Sequence, residues 1–182
     1  MPFGRERRQE RRAERRGDDG AVHYRMRQRL MSIGDDYWIE TEDGDRAFKV
    51  DGKALRFRDT FVLEDTGGHE VAKIQERKLR IKDSMEIEDP NGDRIALVKK
   101  ALLTPLRERF QVGVADGPDL DVHGNIVDHE YTFTRDGEDV AQVSKRWFRV
   151  ADTYGVEVAP EQDPVLVLAA TVAIDSMTHE GR

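Results

Sequence analysis

From Tyr24 onward, short runs of β-branched and aromatic residues alternate with polar ones. Tyr131-Thr132-Phe133-Thr134 and Val156-Glu157-Val158 show the period of two expected of half-buried strands. Between such runs stand Gly-bearing turn signals: Asp43-Gly44, Asp51-Gly52, Gly67-Gly68, Asn91-Gly92, Asp116-Gly117, Gly124-Asn125 and Asp136-Gly137. This density of turns predicts an antiparallel meander, closed into a barrel or folded as a sandwich.

A weak internal repeat refines that expectation. Leu63-Glu64-Asp65 aligns with Ile87-Glu88-Asp89, and Val71-Ala72 with Ile95-Ala96, at a constant offset of 24 residues. Gly44-Asp45-Arg46 lies twice that step before Gly92-Asp93-Arg94. A unit of this length accommodates two strands and two turns. The repeat therefore reads as one hairpin, which must lean on its neighbour to bury its face.

The last segment breaks the pattern. Asp163 suits an N-cap and Pro164 the first helical position. Val165 to Ile174 is then apolar almost throughout, and Asp175 and Ser176 close the run. A buried strand would also carry this Val and Ile content, but the capping pair and the length favour a helix over about 163–177. Such a helix is too short to span a bilayer, and one that is apolar on all sides belongs inside protein. Val165, Leu166, Leu168, Ala169 and Val172 are its expected buried residues. A wide barrel leaves a lumen that its own side chains do not fill. The fold expected from pattern alone is a many-stranded antiparallel barrel threaded by residues 163–177.

Charge divides the chain into two parts. Residues 1–30 hold ten Arg against five acids, whereas residues 31–182 hold 20 basic and 32 acidic residues. Residues 1–20 read as a charged, disordered tail without an apolar stripe, and 21–182 as the folded domain. The charged N-terminus does not read as a secretory signal, which places the protein in the cytoplasm. An acidic body with few Lys and no Cys is the composition expected of a halophile's cytosolic protein; a GC-rich genome gives the same preference for Arg. Double-stranded nucleic acid is an unfavourable partner for so acidic a body.

Candidate chemistry is sparse. The absence of Cys excludes disulfides, thiolate nucleophiles and Cys-based metal sites. There is no Gly-x-Ser-x-Gly, no Gly-x-Gly-x-x-Gly and no Walker loop. His23, His69, His123, His129 and His179 are scattered, with no pair spaced for one helix face. Asp128-His129-Glu130 is the densest polar triplet; on a strand His129 would face away from both acids, so it reads as the start of a strand with turn hydrogen bonds. Asp89-Pro90-Asn91-Gly92-Asp93 opens like a calcium loop, but Arg94 and Lys100 occupy the positions needing Gly and Glu. No catalytic residue, metal site or cofactor is expected. Two basic clusters stand out: Lys99-Lys100 with Arg107 and Arg109, and Lys145-Arg146 before Trp147 and Phe148 with Arg149 after. Cations beside aromatics can hold an anionic headgroup. The simpler reading makes Trp147 and Phe148 barrel core or staves and leaves the cations solvated.

The segment Tyr24–Tyr37, then Phe48-Lys49-Val50-Asp51-Gly52-Lys53, Leu63-Glu64-Asp65, Gly124–Tyr131, Ser144-Lys145-Arg146-Trp147-Phe148, Asp152-Thr153-Tyr154-Gly155-Val156 and the apolar Val165–Asp175 together resemble the LURP-one-related family. The resemblance covers about residues 22–178. It implies a tubby C-terminal-like fold: a closed antiparallel β-barrel of about twelve strands around a buried C-terminal α-helix. It also brings in relatives that meet lipid, since tubby domains bind phosphoinositides and phospholipid scramblases act at membranes; the cysteine cluster of scramblases is missing here. The function this implies is non-enzymatic: binding of an anionic phospholipid headgroup, or peripheral association with a membrane surface, with Lys99, Lys100, Lys145 and Arg146 as candidate contacts. The alternative is a structural scaffold that binds a protein partner, and the third choice an enzyme with a site at the barrel rim.

Overall fold

The computed structural model describes residues 20–27, 36–55, 58–77, 84–101, 109–148 and 152–179. Twelve strands follow one another: β1 (Val22–Arg27), β2 (Tyr37–Thr41), β3 (Arg46–Leu55), β4 (Arg58–Glu64), β5 (Glu70–Glu76), β6 (Ser84–Glu88), β7 (Arg94–Ala101), β8 (Arg109–Val114), β9 (Leu120–Asn125), β10 (Glu130–Arg135), β11 (Glu138–Ser144) and β12 (Thr153–Val158). The helix α1 (Pro164–His179) comes last. Each strand pairs antiparallel with its neighbour in sequence, and β1 pairs with β12 to close the barrel.

The alternation seen in sequence becomes an inside and an outside. In β5, Ala72 and Ile74 are buried while Val71, Lys73 and Gln75 are half-buried. In β7, Ala96 and Val98 take the inner places. These inward residues enclose the middle of α1, where every residue from Val167 to Ser176 is buried. Val165 and Leu166, in the first turn, are only half-buried, because the helix is still entering the lumen there. Asp163 caps the helix as expected, its Oδ1 accepting from the Val165 amide at 2.9 Å. The helix runs two residues past the expected end, to His179, and Asp175 and Ser176 within it are buried.

The 24-residue repeat is structural. Ile39 pairs with Phe48, Leu63 with Ala72 and Ile87 with Ala96, each pair one step from the last, and a bulge follows each of Ile39, Leu63 and Ile87. The turns match as well: the amides of Thr41, Asp65 and Asp89 donate to the carbonyls of Asp45, His69 and Asp93 at 2.7, 2.9 and 2.8 Å. In the last two turns the aspartate also takes backbone amides on its side chain. Amide donation, led by His69 for Asp65 and by Asp93 for Asp89, holds both carboxyls below the usual carboxylate range. That support is complete above the ordinary Asp value near ~3.9 and is lost as pH falls through the lowered folded values.

Two of the expected turns are not turns. Asp51-Gly52 lies inside β3, where Asp51 pairs with Val62 and Gly52 with Phe61; a continuous ladder with β4 carries the glycine through as strand. Gly124-Asn125 ends β9, and the turn itself is 126–129. Residues 1–19, most of the expected tail, lie outside the described residues, as do Arg107 and Arg149.

Candidate functional site at the loop end of the barrel

Because strands in chain order alternate in direction, their connections fall alternately at two ends. One end is built from short turns: 42–45, 65–69, 89–93, 115–119, 136–137 and the helix lead-in 159–163. Every charged residue in those six connections is Asp or Glu, apart from the imidazole of His69; none is Lys or Arg. The opposite, loop end receives the C-terminal ends of β7 and β11 and the last turns of α1.

Both expected basic clusters reach this loop end. Lys99 is exposed at the end of β7 beside Ser84 and Gln111. Lys100 is half-buried and pairs with Phe110. Lys145 and Arg146 form a single 3-10 turn with Trp147, directly after β11. Glu130 organises that turn, accepting from the Ser144 hydroxyl at 3.0 Å and the Lys145 amide at 3.1 Å. Arg146 lies 3.7 Å from the same carboxylate and keeps a side chain 82% exposed. The clusters stand four strands apart, about 19 Å around the wall at ~4.8 Å per step. They share one end of the barrel but stand too far apart to close on one small anion together.

Trp147 and Phe148 are neither in the lumen nor staves of the wall. They fold back over the outer face of β12 at Gly155, where a Cβ would lie 2.5 Å from Trp147 Cε3 and 2.8 Å from Phe148 Cε2. His23 meets Trp147 edge-on with centroids 5.9 Å apart, and the Arg25 guanidinium sits 5.8 Å above Phe148. The glycine at 155 makes room for this aromatic cover.

The Asp128-His129-Glu130 triplet is the entry to a strand, as expected, with β10 beginning at Glu130. Asp128 lies in the exposed 126–129 turn, accepting from Asn125 Nδ2 at 2.6 Å, so the expected turn hydrogen bonds are present. His129 adopts φ +52°, and this left-handed residue turns its ring into the lumen. There it is wholly buried, stacked on Tyr154 with centroids 4.3 Å apart, and its Nε2 is 3.1 Å from Asp175 Oδ1. The Tyr154 hydroxyl donates to Asp175 Oδ2. Tyr37 and Tyr131 bring two more buried phenols to this end of the lumen. All three phenols are held well above the ordinary tyrosine value, first by burial and then by the charge of Asp175. Three of the chain's four tyrosines thus stand at the first or second position of β2, β10 and β12, at one end of the barrel wall. Among the described residues no three His, Cys, Asp or Glu converge as metal ligands.

The family model for LURP-one-related proteins matches residues 22–175. A comparison with curated proteins finds no match. Among solved structures, an X-ray structure of a protein from Arabidopsis thaliana is similar with a TM-score of 0.67 at 19% identity, covering 88% of this chain and 93% of that one. At that identity the likeness concerns the fold: a closed twelve-stranded antiparallel barrel around one C-terminal helix, the tubby-like architecture. On the match across residues 22–175, the chain belongs to the LURP-one-related family.

Proposed function

We propose that this protein is a non-enzymatic barrel that associates peripherally with anionic membranes through its loop end. The supporting observation is the polarity of the barrel. Its net acidic body would be repelled by an anionic surface, but the six turns of one end hold acids without Lys or Arg, bordered by Arg46 and Arg94 at the strand starts, while exposed Lys99 and Arg146 stand at the other end beside the exposed acids Asp36, Asp128 and Asp152. The 16-residue helix sets a separation of about 24 Å between the ends at ~1.5 Å per residue. With the loop end on the surface, the acidic turns are about three screening lengths away at physiological salt, where each is ~8 Å. Val127, exposed in the 126–129 turn, adds an apolar contact at the same end. No described helix is long and apolar enough to cross a membrane.

Flotation with phosphatidylserine-containing vesicles tests the reading. The protein is expected to float with them and not with phosphatidylcholine alone. Each basic residue near an anionic surface contributes about 1 kcal/mol, so the triple variant Lys99→Glu, Lys145→Glu, Arg146→Glu should bind at least tenfold more weakly. Equal flotation of the variant, or none of the parent protein, would overturn the assignment.

A further inference from the structure

We propose that His129 and Asp175 form an acid-released latch, which holds the 126–129 turn against α1 and sets the charge of the loop end. Among the described residues Asp175 is the one buried carboxylate and His129 the one buried imidazole, and they lie 3.1 Å apart. The contact ties the connection between β9 and β10 to the last turns of α1. Few residues with a side chain take the φ of +52° that carries His129 inward. Its ring is held there by Asp175 and by the stack on Tyr154, whose hydroxyl donates to the other oxygen of the same carboxylate. Ile126 also points inward from this turn, whereas Val127 and Asp128 are exposed.

Charge makes the latch sensitive to pH. While Asp175 is ionised, a protonated His129 is compensated and the pair is neutral overall. No other group at this end takes the place of that carboxylate. Tyr154 of β12, Tyr131 of β10 and Tyr37 of β2 are phenols kept neutral by burial. Asp128 is engaged with Asn125 in the exposed turn, and Glu130 with Ser144 and Lys145 at the start of β10. Once acid protonates Asp175, an imidazolium in the lumen has no counter-charge, and burying it is strongly unfavourable. His129 then carries its charge out to solvent. The latch is therefore closed while Asp175 is ionised and opens as pH falls through its protonation. Opening brings one more cation to the end that already bears exposed Lys99 and Arg146. Acid should then strengthen the membrane association proposed above, because an anionic surface attracts each added cation; this consequence rests on that reading, whereas the latch itself does not.

NMR of the histidine rings in the full chain, without vesicles, tests the latch from about pH 7.5 to 4.5. In the closed state the His129 ring resonances should be displaced by the Tyr154 ring stacked on them. In acid they should move to the positions of exposed imidazoles such as His69 and His123, while the backbone resonances of β10 and β11 stay in place. His129→Asn, which suits the left-handed position, assigns the signals. Asp175→Asn removes the counter-charge, so release should occur at higher pH than in the parent protein. His129 resonances that stay displaced down to about pH 4.5, release only together with loss of the whole barrel, or an unchanged release pH in folded Asp175→Asn would each overturn the proposal. Flotation with phosphatidylserine-containing vesicles at both pH extremes reads the consequence separately. The gain in binding on acidification should be about fivefold larger in the parent than in His129→Asn. An equal gain in both would overturn the regulation of binding, and a parent that floats at neither pH would overturn the membrane reading.

Discussion

Leu168→Asp is expected to abolish cooperative folding. Leu168 is 0% exposed in the second turn of α1, among residues enclosed by the barrel. A carboxylate there would be stripped of water with no buried Lys or Arg among the described residues to meet it. The penalty is several kcal/mol, comparable with a whole domain stability of about 5–15 kcal/mol. The effect spreads because the helix packs against strands from both the middle and the end of the chain, β5, β6, β7 and β12. Leu168→Met, which keeps volume and polarity, should cost less than about 1.5 kcal/mol and melt as one transition. Thermal unfolding of both variants checks the claim. A soluble, cooperatively melting Leu168→Asp protein would refute a helix buried along its middle.

Gly124→Val should be the most damaging substitution in the wall. Gly124 ends β9 with φ +136°, a conformation closed to L side chains. A Cβ there would also lie 2.5 Å from the Glu130 carbonyl oxygen and 2.7 Å from Tyr131 Cα, both backbone of β10. Neither can swing aside without opening the Gly124–Tyr131 pairing that leads into the His129 turn. A loss of about 3–5 kcal/mol is expected, a fall of roughly 10–15 °C in melting temperature for a domain of this size. Gly137 makes the comparison informative, since φ is also positive there (+84°) but nothing lies within 4 Å of an added Cβ. Gly137→Ala should cost only the conformational part, about 1–2 kcal/mol. Equal melting of the two variants would contradict the close approach at Gly124.

Most of the architecture was legible because it rests on local pattern. Alternation such as Tyr131 and Phe133 inward, the Asp-Gly turns, and the Asp163-Pro164 cap before an apolar run each express short-range chemistry. The repeat was legible for the same reason: side chains at positions 65 and 89 must close the same turn. Asp51-Gly52 misled because a glycine within a continuous ladder is indistinguishable, in sequence, from one in a turn.

The buried polar cluster was hidden by long-range geometry. Asp175 looked like the polar stop of an apolar helix, whereas α1 continues to His179 and keeps Asp175 inside. A signal was available: Thr171 and Asp175 are four apart, on one helix face with Leu168. His129 was harder to place, because only the left-handed turn residue reverses the direction that strand alternation assigns to it. The basic clusters were visible as composition, but their shared end and four-strand separation follow only from the strand order.

The orientation of the barrel on a membrane is tested most directly by paired single-site labels, and a chain without cysteine allows each to be introduced alone. Val127→Cys labels the loop end and Asp116→Cys the turn end, both at exposed positions. With an environment-sensitive fluorophore and phosphatidylserine-containing vesicles, the label at 127 should shift to the blue while that at 116 stays unchanged, and neither should respond to phosphatidylcholine vesicles. A shift at 116, or none at 127 despite added anionic vesicles, would contradict membrane association through the loop end.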